Sequence, residues 1–196
     1  VVFLDRDDTL IRDTGYLNRI EDLQFLDGVL DGLRTLLRHR WLPVVLTNQS
    51  GVARGYLDED QLHNIHETLH QRLLRADAPL FAWLYCPHLP PNQLRERERD
   101  RCNPDYLTPC NCRKPSPGLW KEALNLLPAP LNSASSWSVG DRLRDVLPAR
   151  KMGGRGLLLT DEESSPPDDP PPDLPRASSF SDAVRIILDE CKPNRN

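Results

Sequence analysis

Five short apolar runs punctuate the chain: "VVFL" (1–4), "WLPVVLT" (41–47), "FAWLYC" (81–86), "SSWSVG" (135–140) and "RGLLLT" (155–160). Each has the length of a buried strand. Between them the apolar period lengthens. "GVLDGLRTLLRHR" (28–40) sets Val29, Leu30, Leu33, Leu36 and Leu37 on one helical face and ends in basic residues that suit the helix dipole. "LDEDQLHNIHETLHQRLLRA" (57–76) repeats the pattern through Leu62, Ile65, Leu69 and Leu73, with Asp58 as its cap. A third helix is expected at 116–127, opened by Ser116 and Pro117, and a fourth closes the chain over 179–192 with Ser181 as cap. Strands alternating with helices predict an α/β, Rossmann-like three-layer sandwich around a mainly parallel sheet. In such sheets ligands bind beyond the carboxyl ends of the strands.

Length and composition narrow the picture. A chain of 196 residues fits one domain, and its net charge of −4, without a basic stripe, argues against nucleic acid as a partner. No apolar stretch approaches the ~18 residues of a membrane helix, and no basic-then-apolar leader precedes the first strand, so no membrane partner and a cytoplasmic location are expected. The chain starts at Val1 rather than Met, and upstream residues are expected to be missing. Five cysteines is an odd count, unlike a secreted disulfide scaffold. "DEESSPPDDPPPDLPRASS" (161–179) is too rich in Pro and acid to pack, and reads as a surface loop. No obligate interface is suggested, so a monomer is expected.

Polar residues crowd directly behind four of the strands. In "FLDRDDTLI" (3–11) alternation along an extended chain sends Asp5 and Asp7 to one side and Arg6 to the other. Two carboxylates there repel unless a cation or a shared proton relieves them. "VVLTNQSGVARG" (44–55) offers hydroxyl, amide and backbone donors suited to phosphate, with Gly51 for close backbone approach and Arg54 as a bidentate clamp. "CRKPSPG" (112–118) puts Lys114 just ahead of a Pro-started helix, where it can counter developing negative charge. "SVGDRLRDV" (138–146) sets Asp141 and Asp145 at the same sheet edge. Each segment alone also reads as ordinary structure: an N-cap cluster, a polar loop, a solvated lysine, a Gly-Asp turn. Four such coincidences in succession are harder to accept than one shared site.

Asp–x–Asp–x–Thr, then Thr, Lys and Gly-Asp, in that order on successive strands, resembles the haloacid dehalogenase superfamily of phosphotransferases. The resemblance implies a Mg²⁺-dependent phosphatase in which Asp5 attacks phosphorus and Asp7 acts as general acid and base. It implies Mg²⁺ ligation by the carboxylates of Asp5 and Asp141 and the backbone carbonyl of Asp7. Thr47 and Lys114 would hold the transferring phosphoryl group, and Asp145 would orient Lys114 or a metal-bound water. Asp8 departs from the "DRDGT" of relatives; Asp tolerates turn geometry, so a spectator is expected.

"CPH" (86–88) and "CNC" (110–112) form two tight pairs. Cys86, His88, Cys110 and Cys112 make a closed tetrahedral donor set, expected to hold a structural Zn²⁺ in a loop over 85–113 that aims Arg113 and Lys114. Cys102 fits the paired spacing less well, and "RERERDR" (95–101) reads as a solvated face of that loop.

"FLDRDxT", "TNQSGVARG", "CPH…CxCRKP" and "GDRxxD" together are similar to the D-glycero-D-manno-heptose 1,7-bisphosphate phosphatase family, close to the histidinol-phosphate phosphatases. That likeness implies a capless fold and removal of the C7 phosphate of a small sugar bisphosphate. It also implies substrate contacts from Asp13, Thr14, Gly15, Tyr16, Thr47, Asn48, Gln49, Ser50, Arg54, Arg113, Lys114 and Arg142. Histidinol phosphate or another sugar phosphate is the alternative substrate. A catalytically silent zinc module and a phosphatase domain of a nucleic-acid repair protein are alternatives of other classes. The intact Asp5, Asp7, Thr47, Lys114 and Asp141 argue against the first, and the acidic balance against the second.

Overall fold

Alternation inside the apolar runs decides the layers. Val2 and Leu4 join a core on one side of the sheet, and Val1 and Phe3 join a second core on the other. The next run splits in the same way, with Val45 on the first side and Val44 and Leu46 on the second. The computed structural model describes residues 1–127, 133–160 and 170–190 of the chain. Its strands are β1 (Val2–Leu4), β2 (Pro43–Asn48), β3 (Ala82–Cys86), β4 (Trp137–Gly140), β5 (Arg155–Leu159) and β6 (Arg176–Ala177). They form one sheet in the order β3-β2-β1-β4-β5-β6, with every pairing parallel.

Three helices, α1 (Val29–Arg38), α2 (Glu59–Arg75) and α5 (Phe180–Asp189), supply the first core; α3 (Gly118–Leu126) and α4 (Leu143–Lys151) cover the opposite face. This is the expected three-layer sandwich. Leu33, Leu36, Leu62 and Leu73 are almost wholly buried, each worth about 2 kcal/mol of apolar transfer. Asp58 caps α2 as expected, and the cap is reciprocal: its carboxylate accepts from the Gln61 N–H while the Gln61 side chain accepts from the Asp58 N–H.

Two expectations need correction. The closing helix is capped by Ser179, whose Oγ accepts the Asp182 N–H at 3.1 Å, not by Ser181. The segment expected as a surface loop over 161–179 also docks at its far end: Leu174 is buried, and Arg176–Ala177 adds a sixth strand beside β5. Residues 161–169 of it lie outside the described residues. Among the described residues the connections β1–α1 and β3–α3 carry turns and 3-10 segments rather than an inserted cap domain, and no helix is long and apolar enough to cross a membrane.

Candidate active site

The strand order reverses direction between β1 and β4, because the chain first builds outward through β2 and β3 and then returns to the other side. Such a switch point opens a crevice at the carboxyl ends of the two strands. Asp5 follows β1 there and Asp141 follows β4. Lys114, which is 3% exposed, reaches between them: its Nζ lies 2.7 Å from Asp5 Oδ1, 2.6 Å from Asp145 Oδ1 and 2.7 Å from the Leu46 carbonyl. Burial alone would lower the Lys114 pKa, but the charges of Asp145 and Asp5 outweigh it and the ammonium is held above its usual range.

Asp145 is the residue that fixes this cation. Its carboxylate also accepts the Arg142 N–H at 3.1 Å, capping α4. Gly140 is required beneath it, since a Cβ there would come within 2.4 Å of the Asp145 Cβ. The carboxylate oxygens of Asp5, Asp141 and Asp145 lie within 4.8 Å of one another, against one buried lysine and the Arg142 guanidinium 2.8 Å from Asp141. Burial, with Asp145 and Asp5 adding repulsion, pushes the Asp141 carboxyl up to about 7. A crowded acidic set of this kind accommodates a hard divalent cation.

Asp7 stands differently from expectation. β1 stops at Leu4, so the alternation argument fails beyond it, and Arg6 does not simply point away. The Arg6 guanidinium is buried and grips the Asp7 carboxylate through Nε at 2.9 Å and Nη2 at 2.8 and 3.0 Å; Gln49 Nε2 adds a fourth bond at 2.9 Å. Burial raises the Asp7 pKa and Arg6 opposes the rise.

A cavity of about 540 Å³ lies above this floor, lined by Asp5, Asp7, Asp13, Gly15, Tyr16, Asn48, Gln49, Ser50, Arg54, Arg113, Lys114, Asp141 and Arg142 among the residues singled out from sequence. Thr14 and Thr47 do not line it; the buried Thr47 hydroxyl accepts from Gln49 Nε2 at 2.8 Å. Asn48 spends its amide on the Lys114 backbone, donating to its carbonyl at 3.1 Å and accepting its N–H at 2.9 Å. Gly51 serves packing rather than ligand approach, since a Cβ would meet Leu57 at 2.5 Å and Tyr16 at 3.2 Å.

Sequence reasoning missed Arg6, Tyr56, Arg95, Arg97 and Arg144, which also line the cavity. Their common signal was charge or aromaticity next to a motif. "RERERDR" is not wholly solvated: Glu98 is fully buried, ion-paired to Arg54 and accepting the Tyr56 hydroxyl at 3.1 Å and the Arg95 N–H at 3.0 Å. Tyr56 stacks on Tyr16 with ring centroids 4.3 Å apart, and the Arg101 guanidinium lies 3.7 Å from the centroid of the Tyr56 ring.

Beside the cavity, Cys86, His88, Cys110 and Cys112 converge. Their sulfurs lie 2.9 to 3.5 Å apart, and His88 Nδ1 is 3.3 Å from Cys112 Sγ. Zn–S bonds of about 2.3 Å require tetrahedral edges of about 3.8 Å, so a small expansion of the cluster would admit a metal ion. Cys102 is not among them; its Sγ contacts the Arg99 carbonyl at 3.2 Å. Arg113 Nη1 donates to the His88 carbonyl at 3.3 Å, tying the cavity wall to the cluster.

Comparison with known proteins agrees with this geometry. Residues 111–183 match the family model of HAD-hydrolase-like proteins. The chain is 38% identical over 148 residues to the D-glycero-β-D-manno-heptose-1,7-bisphosphate 7-phosphatase of Escherichia coli K12, covering 76% of this chain and 72% of that protein. It is 39% identical over 153 residues to the protein of that name from Haemophilus ducreyi, covering 78% of each. The chain belongs to this family of haloacid dehalogenase-type phosphatases. Members of the family are phosphoric monoester hydrolases. A solved member from B. bronchiseptica, described as D,D-heptose 1,7-bisphosphate phosphatase complexed with magnesium and phosphate, superposes with a TM-score of 0.77 at 26% identity, covering 96% of this chain and 98% of that one. The Burkholderia thailandensis phosphatase, at 20% identity and a TM-score of 0.61, shares the fold.

Proposed function

We propose that the chain removes the C7 phosphate of D-glycero-β-D-manno-heptose 1,7-bisphosphate, leaving heptose 1-phosphate. The observation that carries this reading is the Asp5–Lys114–Asp145 constellation at the switch point, beneath a cavity walled by arginines. The names of the curated relatives support the substrate and its anomer.

An Asp5 carboxylate oxygen attacks phosphorus, and the bond from phosphorus to the C7 oxygen breaks. Asp7, as the acid, protonates the leaving alkoxide. Water then attacks the aspartyl-phosphate, Asp7 takes its proton, and the bond between phosphorus and Asp5 breaks to regenerate the carboxylate. Lys114 holds the phosphoryl oxygens, where one charge-stabilising contact contributes about 3 kcal/mol to the transition state, while the buried Thr47 hydroxyl anchors the Gln49 amide. Mg²⁺, when bound by Asp5, Asp141 and the Asp7 carbonyl, supplies positive charge to that centre. Arg113 and Arg142 are suited to the second phosphate, with Asp13 to Tyr16 shaping the sugar site. Zn²⁺ held by Cys86, His88, Cys110 and Cys112 would have no open position, and so would have a structural role.

The test is phosphate release from the α and β anomers of the heptose bisphosphate and from histidinol phosphate, with Mg²⁺, for the wild type and Asp5→Asn. Fast turnover of the β anomer, abolished in the variant, is expected. Preference for histidinol phosphate would move the protein to another substrate, and turnover surviving Asp5→Asn would discard the mechanism.

A further inference from the structure

The grip of Arg6 on Asp7 has a support sixty residues away. Arg6 Nε and Nη2 both serve Asp7, which leaves Nη1 as a donor inside the protein, since the side chain is 1% exposed. Its partner is His66 Nε2, at 3.1 Å. A guanidinium only donates, so this nitrogen must present its lone pair and the imidazole must be neutral. The site enforces that state. His66 is buried on α2, with the Trp83 ring 5.2 Å and the Tyr85 ring 5.5 Å away, and burial together with the Arg6 charge lowers its pKa to about 3. On the other side Gln49 Nε2 bridges Asp7 Oδ2 and Thr47 Oγ1, so the carboxylate is fixed from two directions.

From this geometry we infer that His66 is a positioning residue for Asp7, acting through Arg6: its lone pair holds the guanidinium in the plane that orients the carboxylate toward the cavity. The inference rests on Asp7 being the acid of the proposed reaction. Without the acceptor, a buried donor is left unpaired, which is costly, and Arg6 must rotate to find another partner. The carboxylate then loses its fixed orientation, and proton delivery to the leaving oxygen suffers most.

Proton delivery is measurable separately from binding and folding. A sugar phosphate leaves as a basic alkoxide that needs the proton, whereas p-nitrophenyl phosphate leaves as a stable phenolate that does not. kcat/KM reports the first phosphoryl transfer even where hydrolysis of the intermediate limits kcat. His66→Phe keeps the bulk and removes the acceptor; His66→Gln offers its carbonyl oxygen in place of Nε2. The expected result is a loss of at least tenfold in kcat/KM for the heptose bisphosphate with His66→Phe, less than threefold for p-nitrophenyl phosphate, and recovery to within threefold of wild type with His66→Gln. Asp7→Asn must show the same leaving-group selectivity, more strongly. If it does and His66→Phe slows both substrates equally, the inference falls while the mechanism stands. If Asp7→Asn shows no selectivity, the role of Asp7 falls and the inference with it. Should His66→Phe not fold, Arg6→Met and Arg6→Met with His66→Phe carry the test, because removing both partners leaves no orphan donor. Equal, selective deficits in these two support action through Arg6, and a further tenfold loss in the double variant overturns it.

Discussion

Asp8 has φ 49°, in the left-handed region that favours glycine. An L-residue there carries strain of about 1 kcal/mol. The carboxylate offsets it locally by accepting the Asp13 N–H at 2.9 Å, which anchors the loop that carries Tyr16 into the cavity. The two effects separate by substitution. Asp8→Gly relieves the strain and loses the bond, so its stability should change by less than about 1 kcal/mol. Asp8→Ala keeps the strain and loses the bond, so it should be destabilised by about 1 kcal/mol. Urea denaturation of both variants checks the order, and an alanine variant as stable as the glycine variant would refute it. At this scale much was legible. Asp5, Lys114 and Asp141 directly follow apolar runs or open a Pro-started helix, which is a local signal. What was not legible was the partner that other side chains choose: Arg6 turning back on Asp7 and Asn48 holding the Lys114 backbone both depend on three-dimensional proximity.

Among the elements, the segment from Cys86 to Cys112 shows how far pattern reading reaches. The two Cys-containing pairs announced the convergence of four donor side chains, because short spacing limits where the donors can go. The charged run between them read as solvent-facing because alternating Arg and Glu carries no apolar signal, yet Glu98 turns inward to meet Arg54 and Tyr56. Gly55 permits this close packing: it has φ 69°, and a Cβ there would lie 1.9 Å from the Arg101 carbonyl oxygen. The Asn103 N–H donates to the Ala53 carbonyl at 3.0 Å across the same seam. The loop therefore couples the Cys/His cluster to the wall of the cavity through Arg113 on one side and Arg54 on the other. With zinc bound there, losing one thiolate should loosen both. Cys110→Ser is expected to drop the zinc content from one ion per chain toward zero, lower Tm by several degrees and raise KM more than it lowers kcat. Elemental analysis with a thermal melt checks this; full metal content with an unchanged melt would remove zinc from the account.

For the molecule as a whole, the sheet order matters more than any single strand. Five strands and four helices were readable from period alone, and the sixth strand was not, because two residues paired only through β5 leave no periodic trace. The order β3-β2-β1-β4 brings Asp5, Asp141 and, through α4, Asp145 to one crevice, and the protein carries the resulting repulsion. Folded, metal-free protein keeps a proton on Asp141 up to about pH 7, whereas the unfolded chain releases it near 3.8. The folded state thus binds more protons across that window, and this contribution to stability falls as pH rises from 4 to 7. His66 works in the opposite sense: held neutral down to about 3, it contributes stability above its unfolded pKa of 6.5 that is lost as pH falls below it. A metal-induced shift separates the two, because His66 lies outside the carboxylate set and cancels in the difference. Mg²⁺ requires Asp141 ionised, so at pH 6 it must displace a proton held by about one pK unit, about 1.4 kcal/mol, whereas at pH 8 it need not. The apparent Mg²⁺ dissociation constant should therefore be roughly tenfold weaker at pH 6 than at pH 8, and the rise in Tm at fixed Mg²⁺ correspondingly smaller. Asp141→Asn should abolish the pH dependence along with most of the affinity. Equal Mg²⁺ affinity at the two pH values in the wild type would mean that Asp141 is already ionised at pH 6, and that the acidic crevice is relieved by its lysine and arginines alone.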